Sequence, residues 1–267
     1  MKFEVRNRPL LSQQKFKYFR SLTLKKIRER EGLFLIEGIK FCQEAITADV
    51  NLIAFLFFPQ IISSKTVDDF IKLCENKNIS YYEISHNMLA ALSDTVHSQG
   101  VICVIEKSAQ QLKLQNAASI VAIDAARDPG NVGTIIRTAD WFGMDAVLLG
   151  EGTVELYNPK VLRSTMGSIF HLPVLSNINL YDQLYQLKKN GYTIYTADVY
   201  GDLFYNKVQF SERKVLVVGN ETQGVSAKIA SLSDAKIKIP SKGKAESLNL
   251  SVATGILLNQ MVNNNGT

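Results

Sequence analysis

Strands and helices alternate twice along the chain, which predicts an α/β protein built of two units. Three observations carry this. Short runs rich in Val, Ile and Phe recur between segments of helical period. In the second half the run Val215–Val218 is apolar throughout, as strands buried on both faces are. A polar stretch with little β character, residues 107–117, separates the halves. With 267 residues and 46% hydrophobic side chains, each unit can bury a core of its own. No internal repeat is found.

The first unit is expected over 1–106. Residues 11–30 read as one helix, with Phe16, Phe19, Ile27 and several leucines on its apolar side. Leu33–Glu37 is a short buried strand ending at Gly38, and a helix through Phe41 and Ala45 follows. Strands are expected at 53–58, 81–84 and 101–105, with helices near 67–77 and 87–92 between them. After the linker at 107–117, the second unit, 118–267, opens on the strand 119–124. Further strands are expected at 146–149, 193–198, 214–219 and 236–239, and helices near 132–142, 181–189 and 248–262, giving a mostly parallel sheet. The tail 263–267 reads as frayed.

Charge is unevenly spread. Residues 1–30 hold ten Lys or Arg against Glu4 and Glu29, a balance of +8 that leaves −3 for the rest of a chain whose total is +5. A basic arm on a near-neutral body points to a polyanion partner. Phe3, Phe16, Tyr18 and Phe19 interleave with Arg6, Arg8, Lys15, Lys17 and Arg20, so cations can meet phosphates while rings stack on bases. A helix with a solvated basic face and its aromatics in the core explains the segment equally well.

Several classes are disfavoured. No apolar run is long enough for a membrane span, and the first residues lack the apolar stretch of a signal peptide, so a cytoplasmic protein is expected. Cys42, Cys74 and Cys103 form no CxxC pair and read as buried small hydrophobes. His86, His97 and His171 have no metal-like spacing, and no metal is expected. There is no GxGxxG after the first strand of either unit, no Walker A sequence and no GxSxG elbow.

Three polar clusters follow strands of the second unit, where ligands sit in an open parallel sheet. In Asp128–Ala139, Pro129 and Gly130 form a turn, Asn131 can cap the helix, and Gly133 permits a close backbone approach. Arg137 lies about a turn and a half beyond Asn131, so it need not share its face, although its cation can reach the same cleft. A capped helix with a surface arginine is the plainer reading. In Val217–Val225, Gly219 and Gly224 flank Glu221, which suggests backbone wrapped closely on a ligand, against an ordinary strand-to-helix loop. In the third, a strand ends at Ile239-Pro240, and a basic loop leads to Ser247, Leu248 and Asn249 before an apolar helix. Asn249 stands where an apolar side chain is expected, so its amide needs a partner.

Together these clusters resemble the three motifs of the SPOUT-class RNA methyltransferases, specifically the SpoU or TrmH family of 2′-O-ribose methyltransferases. The run Leu162–Val174 also resembles that family, and four matches in order over about 130 residues are specific. The first unit is similar to the RNA-binding domain that many members carry, with Leu33–Gly38 its best mark. The resemblance implies a C-terminal domain with a deep trefoil knot, a homodimer, and S-adenosylmethionine as methyl donor. It implies donor contacts at Gly219, Ile239 and Leu248, largely through backbone, with the loop after 193–196, and hence Thr196, also lining the pocket. The apolar helix around Ile256-Leu257-Leu258 and the first-motif helix are the implied dimer surfaces. Arg163, in the fourth matching run, joins Arg6, Arg8, Lys15 and Lys17 as a candidate RNA contact.

The resemblance also places Arg137 beside the ribose hydroxyl. A guanidinium keeps its proton in proteins, so its expected role is to orient the ribose or a phosphate and to stabilise alkoxide charge. Asn131, Glu221 and Asn249 are expected to hold Arg137 and the substrate in register. Ribosomal RNA is the favoured substrate because of the added N-terminal unit. Transfer RNA is the alternative within the class, and a non-catalytic ribosome-assembly factor the alternative outside it.

Overall fold

A computed structural model describes residues 8–48, 50–107, 114 and 117–263. Arg6 and Phe3, most of the expected linker and the tail beyond Asn263 lie outside the described residues. The chain divides into two compact units, Met1–Ala109 and Gln110–Thr267.

In the first unit the elements run α1 (Gln13–Ser21), α2 (Lys25–Glu31), β1 (Leu33–Glu37), α3 (Ile39–Thr47), β2 (Leu52–Phe57), α4 (Ser64–Asn76), β3 (Ser80–Glu83), α5 (His86–Leu92) and β4 (Val101–Glu106). The sheet order is β1-β4-β2-β3, with β4 antiparallel to both its neighbours and β2 parallel to β3. The single helix expected over 11–30 is two. Arg28 turns inward, almost fully buried, and donates to the carbonyls of Leu22 at 3.0 Å and Thr23 at 2.8 Å. Those are carbonyls at the end of α1 that a continuous helix would have bonded through backbone; the guanidinium satisfies them and lets the chain break. Phe16 and Phe19 pack with the core, and Tyr18 stays exposed with its hydroxyl donating to Glu31.

The second unit runs β5 (Ser119–Ile123), α6 (Pro129–Trp141), β6 (Ala146–Gly150), α7 (Pro159–Thr165), β7 (Val174–Ile178), α8 (Leu180–Lys189), β8 (Thr193–Ala197), β9 (Leu203–Phe204), β10 (Lys214–Val218), α9 (Ala227–Ala230), β11 (Ala235–Lys238) and α10 (Leu250–Asn263). Its seven strands lie in the order β7-β6-β5-β10-β8-β11-β9 and every pairing is parallel. Val121 and Ile123 enter one core with Ile135 and Ile136 of α6 and Leu257 and Leu258 of α10; Ile120 and Ala122 enter another with Leu184 and Leu187 of α8. Burial on both faces is why Ile120–Ile123 is apolar without a break. All strands of this sheet point the same way, so the loops after β5, β8, β10 and β11 gather along one edge, and β8 lies between β10 and β11.

Candidate active site

The site is built from the loops at that edge. Asp128 is the N-cap of α6, its side chain accepting from the Asn131 N–H at 2.8 Å, and Pro129 follows at the first helical position. The cap is therefore Asp128 and not Asn131: the carboxylate takes the orphan N–H, which frees the Asn131 amide to face inward, nearly buried. Asn131 Nδ2 donates to Glu221 Oε1 at 3.1 Å, and Asn131 Oδ1 accepts from Asn249 Nδ2 at 2.9 Å. Asn249 Oδ1 in turn accepts from the N–H groups of Ser251 and Val252 and caps α10. One carboxylate and two amides thus join the loop after β10, the start of α6 and the start of α10.

Glu221 also accepts from the backbone N–H groups of Arg127 at 3.2 Å and Asp128 at 3.1 Å. Burial pushes its carboxyl up. The hydrogen bonds from Asn131 and from the N–H groups of Glu221, Arg127 and Asp128 more than offset that and hold it below the ordinary carboxylate range. A carboxylate so occupied is a strut and a poor proton acceptor. Beside it, Asn220 Nδ2 donates to the carbonyl of Ala125 at 2.9 Å, and Asp124 Oδ2 accepts from the Ser226 N–H at 2.8 Å. Ala125 has φ 56°, a left-handed backbone that a side chain disfavours, and the Asn220 amide holds it there.

Two glycines are required by the chain's own packing. A Cβ on Gly219 would lie 2.1 Å from the Gly224 carbonyl carbon, so Gly219 lets the loop close on itself, sealed by paired N–H to carbonyl bonds of 2.9 Å between Asn220 and Gly224. A Cβ on Gly133 would lie 2.5 Å from the Val161 carbonyl oxygen, so that glycine seats α7 on α6.

Thr196 sits in β8 in register with Val217 of β10 and Lys236 of β11. Gly219 and Ile239 begin the loops where those two strands end, and Ile239 packs on the core beneath. Leu248 is exposed and directly precedes Asn249. Thr196 Oγ1 is buried without a hydrogen-bond partner, the one such side-chain atom among the described residues. An orphan hydroxyl at the carboxyl end of a parallel sheet is where a polar ligand group is owed a bond.

Arg137 is not held by Asn131, Glu221 or Asn249. It is exposed on α6, and no hydrogen bond or ion pair of its side chain occurs among the described residues. Six residues of helix carry it about 9 Å along the axis and onto a different face. Four residues on, Trp141 is 84% exposed. In the first unit, Arg8 pairs with Asp68 at 3.0 Å, and Lys15 bonds the Tyr82 hydroxyl and stacks over its ring, an amine that holds the Tyr82 phenol below its usual range. Lys17 is exposed, and Arg163 is half-buried on α7. The sequence reading missed Asp128, Asn220 and Asp124; the Asp-Pro pair opening a helical period was the available signal for the first. Among the described residues no group of three His, Cys, Asp or Glu side chains could hold a metal, and no helix is long and apolar enough to cross a membrane.

Residues 118–259 match the family model of the SpoU rRNA methylases, and residues 13–103 match that of the MRM3-like substrate binding domain. The 23S rRNA (guanosine(2553)-2′-O)-methyltransferase RlmP of Bacillus subtilis is 36% identical over 92% of this chain and 94% of its own. The AdoMet-bound rRNA methyltransferase of Sinorhizobium meliloti superposes with a TM-score of 0.84 at 27% identity, covering 97% of this chain and 98% of that one. The SpoU methyltransferase AviRb of Streptomyces viridochromogenes, in complex with AdoMet, gives 0.82 at 26% identity, over 94% and 98% of the two chains.

Proposed function

The chain belongs to the SpoU rRNA methylase family, and on that premise we propose that it transfers the methyl group of S-adenosylmethionine to a ribose 2′-hydroxyl of ribosomal RNA. The observation that carries the site assignment is the Glu221–Asn131–Asn249 chain of hydrogen bonds, which fixes separate loops at the carboxyl edge of a parallel sheet. The residues present fit the donor, since the buried Thr196 hydroxyl lacks a partner near the ends of the strands that lead into Gly219 and Ile239. Thr196, Gly219, Ile239 and Leu248 would hold it, and when bound it supplies a sulfonium methyl as electrophile.

The chain's own work is alignment and charge. The hydrogen-bonded struts keep the loops from relaxing as substrate enters. Arg137 keeps its proton and donates N–H groups toward the ribose oxygen, stabilising negative charge as the hydroxyl proton passes to solvent water. Arg8, Lys15, Lys17 and Arg163 are assigned to RNA contact, Arg8 at the cost of its Asp68 partner. The C-terminal unit, 118–267, is the catalytic domain, knotted in the manner of its family, and 1–106 delivers RNA, in the cytoplasm. Trp141 on α6 and Val252 and Val262 on α10 are exposed apolar side chains on helices that pack together, Gly255 against Thr138, and we assign them to a homodimer. Light scattering on W141E should then report a monomer; a dimer of unchanged mass would refute that interface.

The test of the function is to map ribose methylation in total RNA from cells with and without the gene. One ribosomal ribose should lose its methyl group. An unchanged ribosomal profile with a lost transfer RNA methyl would overturn the choice of substrate.

A further inference from the structure

The loop after β8 is expected to line the donor pocket at its start, at Thr196, and beyond that point its turn concentrates exposed apolar side chains. Val199, Tyr200, Leu203 and Phe204 all stand exposed, Tyr200 at 89%. A cluster of this kind marks a contact surface more often than an accident of composition. The turn is firmly held. The Asp198 N–H donates to the Ile237 carbonyl at 2.9 Å, the Tyr200 N–H to Asp198 Oδ1 at 2.9 Å and the Gly201 N–H to the Asp198 carbonyl at 3.0 Å. A Cβ on Gly201 would fall 2.7 Å from the Lys236 carbonyl oxygen, so the turn is pressed against β11. It begins two residues beyond Thr196, beside the candidate donor site.

The surroundings are cationic. Lys238 Nζ lies 5.1 Å and Lys207 Nζ 5.9 Å from the Phe204 ring centroid. Lys236 is exposed on β11, and the loop that leaves β11 carries exposed Lys242 and Lys244. Against these five lysines stand Asp198, whose carboxylate accepts the Tyr200 N–H, and the exposed Asp202 and Glu246. Tyr181 and Tyr185 offer a contrast within the same unit: they stack on each other, and Lys228 and Lys189 lie over their rings. No ring or cation among the described residues lies over Tyr200. The Tyr200 ring, uncovered on a firmly held turn whose flanking strands and loops carry lysines, matches a single nucleic-acid strand, whose bases stack and whose phosphates pair.

We infer that the Asp198–Phe204 turn receives the RNA strand beside the methylated nucleotide, with an unpaired base stacked on Tyr200. The inference rests on the methyltransferase reading and names a contact for its substrate. The test uses the full chain, ribosomal RNA from cells lacking the gene, and labelled S-adenosylmethionine. Steady-state kinetics and donor titration are run on wild type, Y200A, Y200F and, as control, Y185A. Y200A should raise the KM for RNA about tenfold, the scale of one lost base–aromatic stack. Its donor affinity should stay within about twofold, and Y200F and Y185A should match wild type. An unchanged KM in Y200A overturns the inference. So does a parallel loss of donor affinity, which would put Tyr200 in the donor site, or an equal defect in Y200F, which would make the hydroxyl the contact. If wild type itself methylates no ribosomal RNA, the functional reading has failed and this inference falls with it; methylation that ignores Tyr200 defeats the inference alone.

Discussion

The two faces of α6 differ more than their sequences suggest. On the inner face Asn131 is bonded on both sides. On the outer face Arg137 and Trp141 stand exposed, and the guanidinium has no partner among the described residues. Both faces belong to one ordered helix, so the contrast is one of partners and not of backbone order. On the proposed reading, it separates residues that hold the site from residues left free to meet the substrate or a second copy of the chain.

Arg137→Ala should give the largest effect if the outer face does the chemistry. A lost charge-stabilising donor typically lowers kcat by about 100- to 1000-fold, and the melting temperature should not move, because no intramolecular bond is lost. A kcat near wild type in a folded variant would erase the distinction between the faces. Asn131→Ala should do the converse. It leaves the Asn249 amide and part of Glu221 unsatisfied, so urea unfolding should report a loss of about 1–3 kcal/mol, and activity should fall with the order of the loops. Equal stability to wild type would show that the chain of amides is ornamental. The smallest effect is in acid. The Glu221 carboxyl is held below its ordinary value of 4.5, so its ionised form stabilises the fold above that pH, and this contribution is lost as pH falls through the lowered native value. E221Q should therefore flatten the fall in melting temperature below about pH 4.5 relative to wild type; an unchanged acid limb would mean that the carboxylate carries no such linkage.

The same contrast explains what was legible in the sequence. The interior strands β5, β6 and β10 could be read because burial on both faces leaves them apolar beyond the first residues of β5 and β10, Ser119 and Lys214. Strand β7, with Ser176 and Asn177 exposed, and β9, two residues long, carry no such pattern and were not foreseen. The helix break before Lys25 was hidden because it depends on one buried arginine reaching back to two carbonyls, a contact without local signature. Asn249 was readable as an amide in need of a partner, and Asn131 is that partner across 118 residues. The close packing of Gly219 on its own loop was not readable, because a glycine beside an acid looks the same whether it approaches a ligand or the chain itself.

The central claim is that the ends of β8, β10 and β11 grip the donor, and Thr196→Val tests it by opposing signs. Valine fills the same space without a hydroxyl. Calorimetric titration with S-adenosylmethionine should show affinity weakened about fivefold or more, while the free protein melts no earlier, since the buried hydroxyl it loses had no partner. Donor affinity equal to wild type would contradict the assignment and move the donor elsewhere on the sheet.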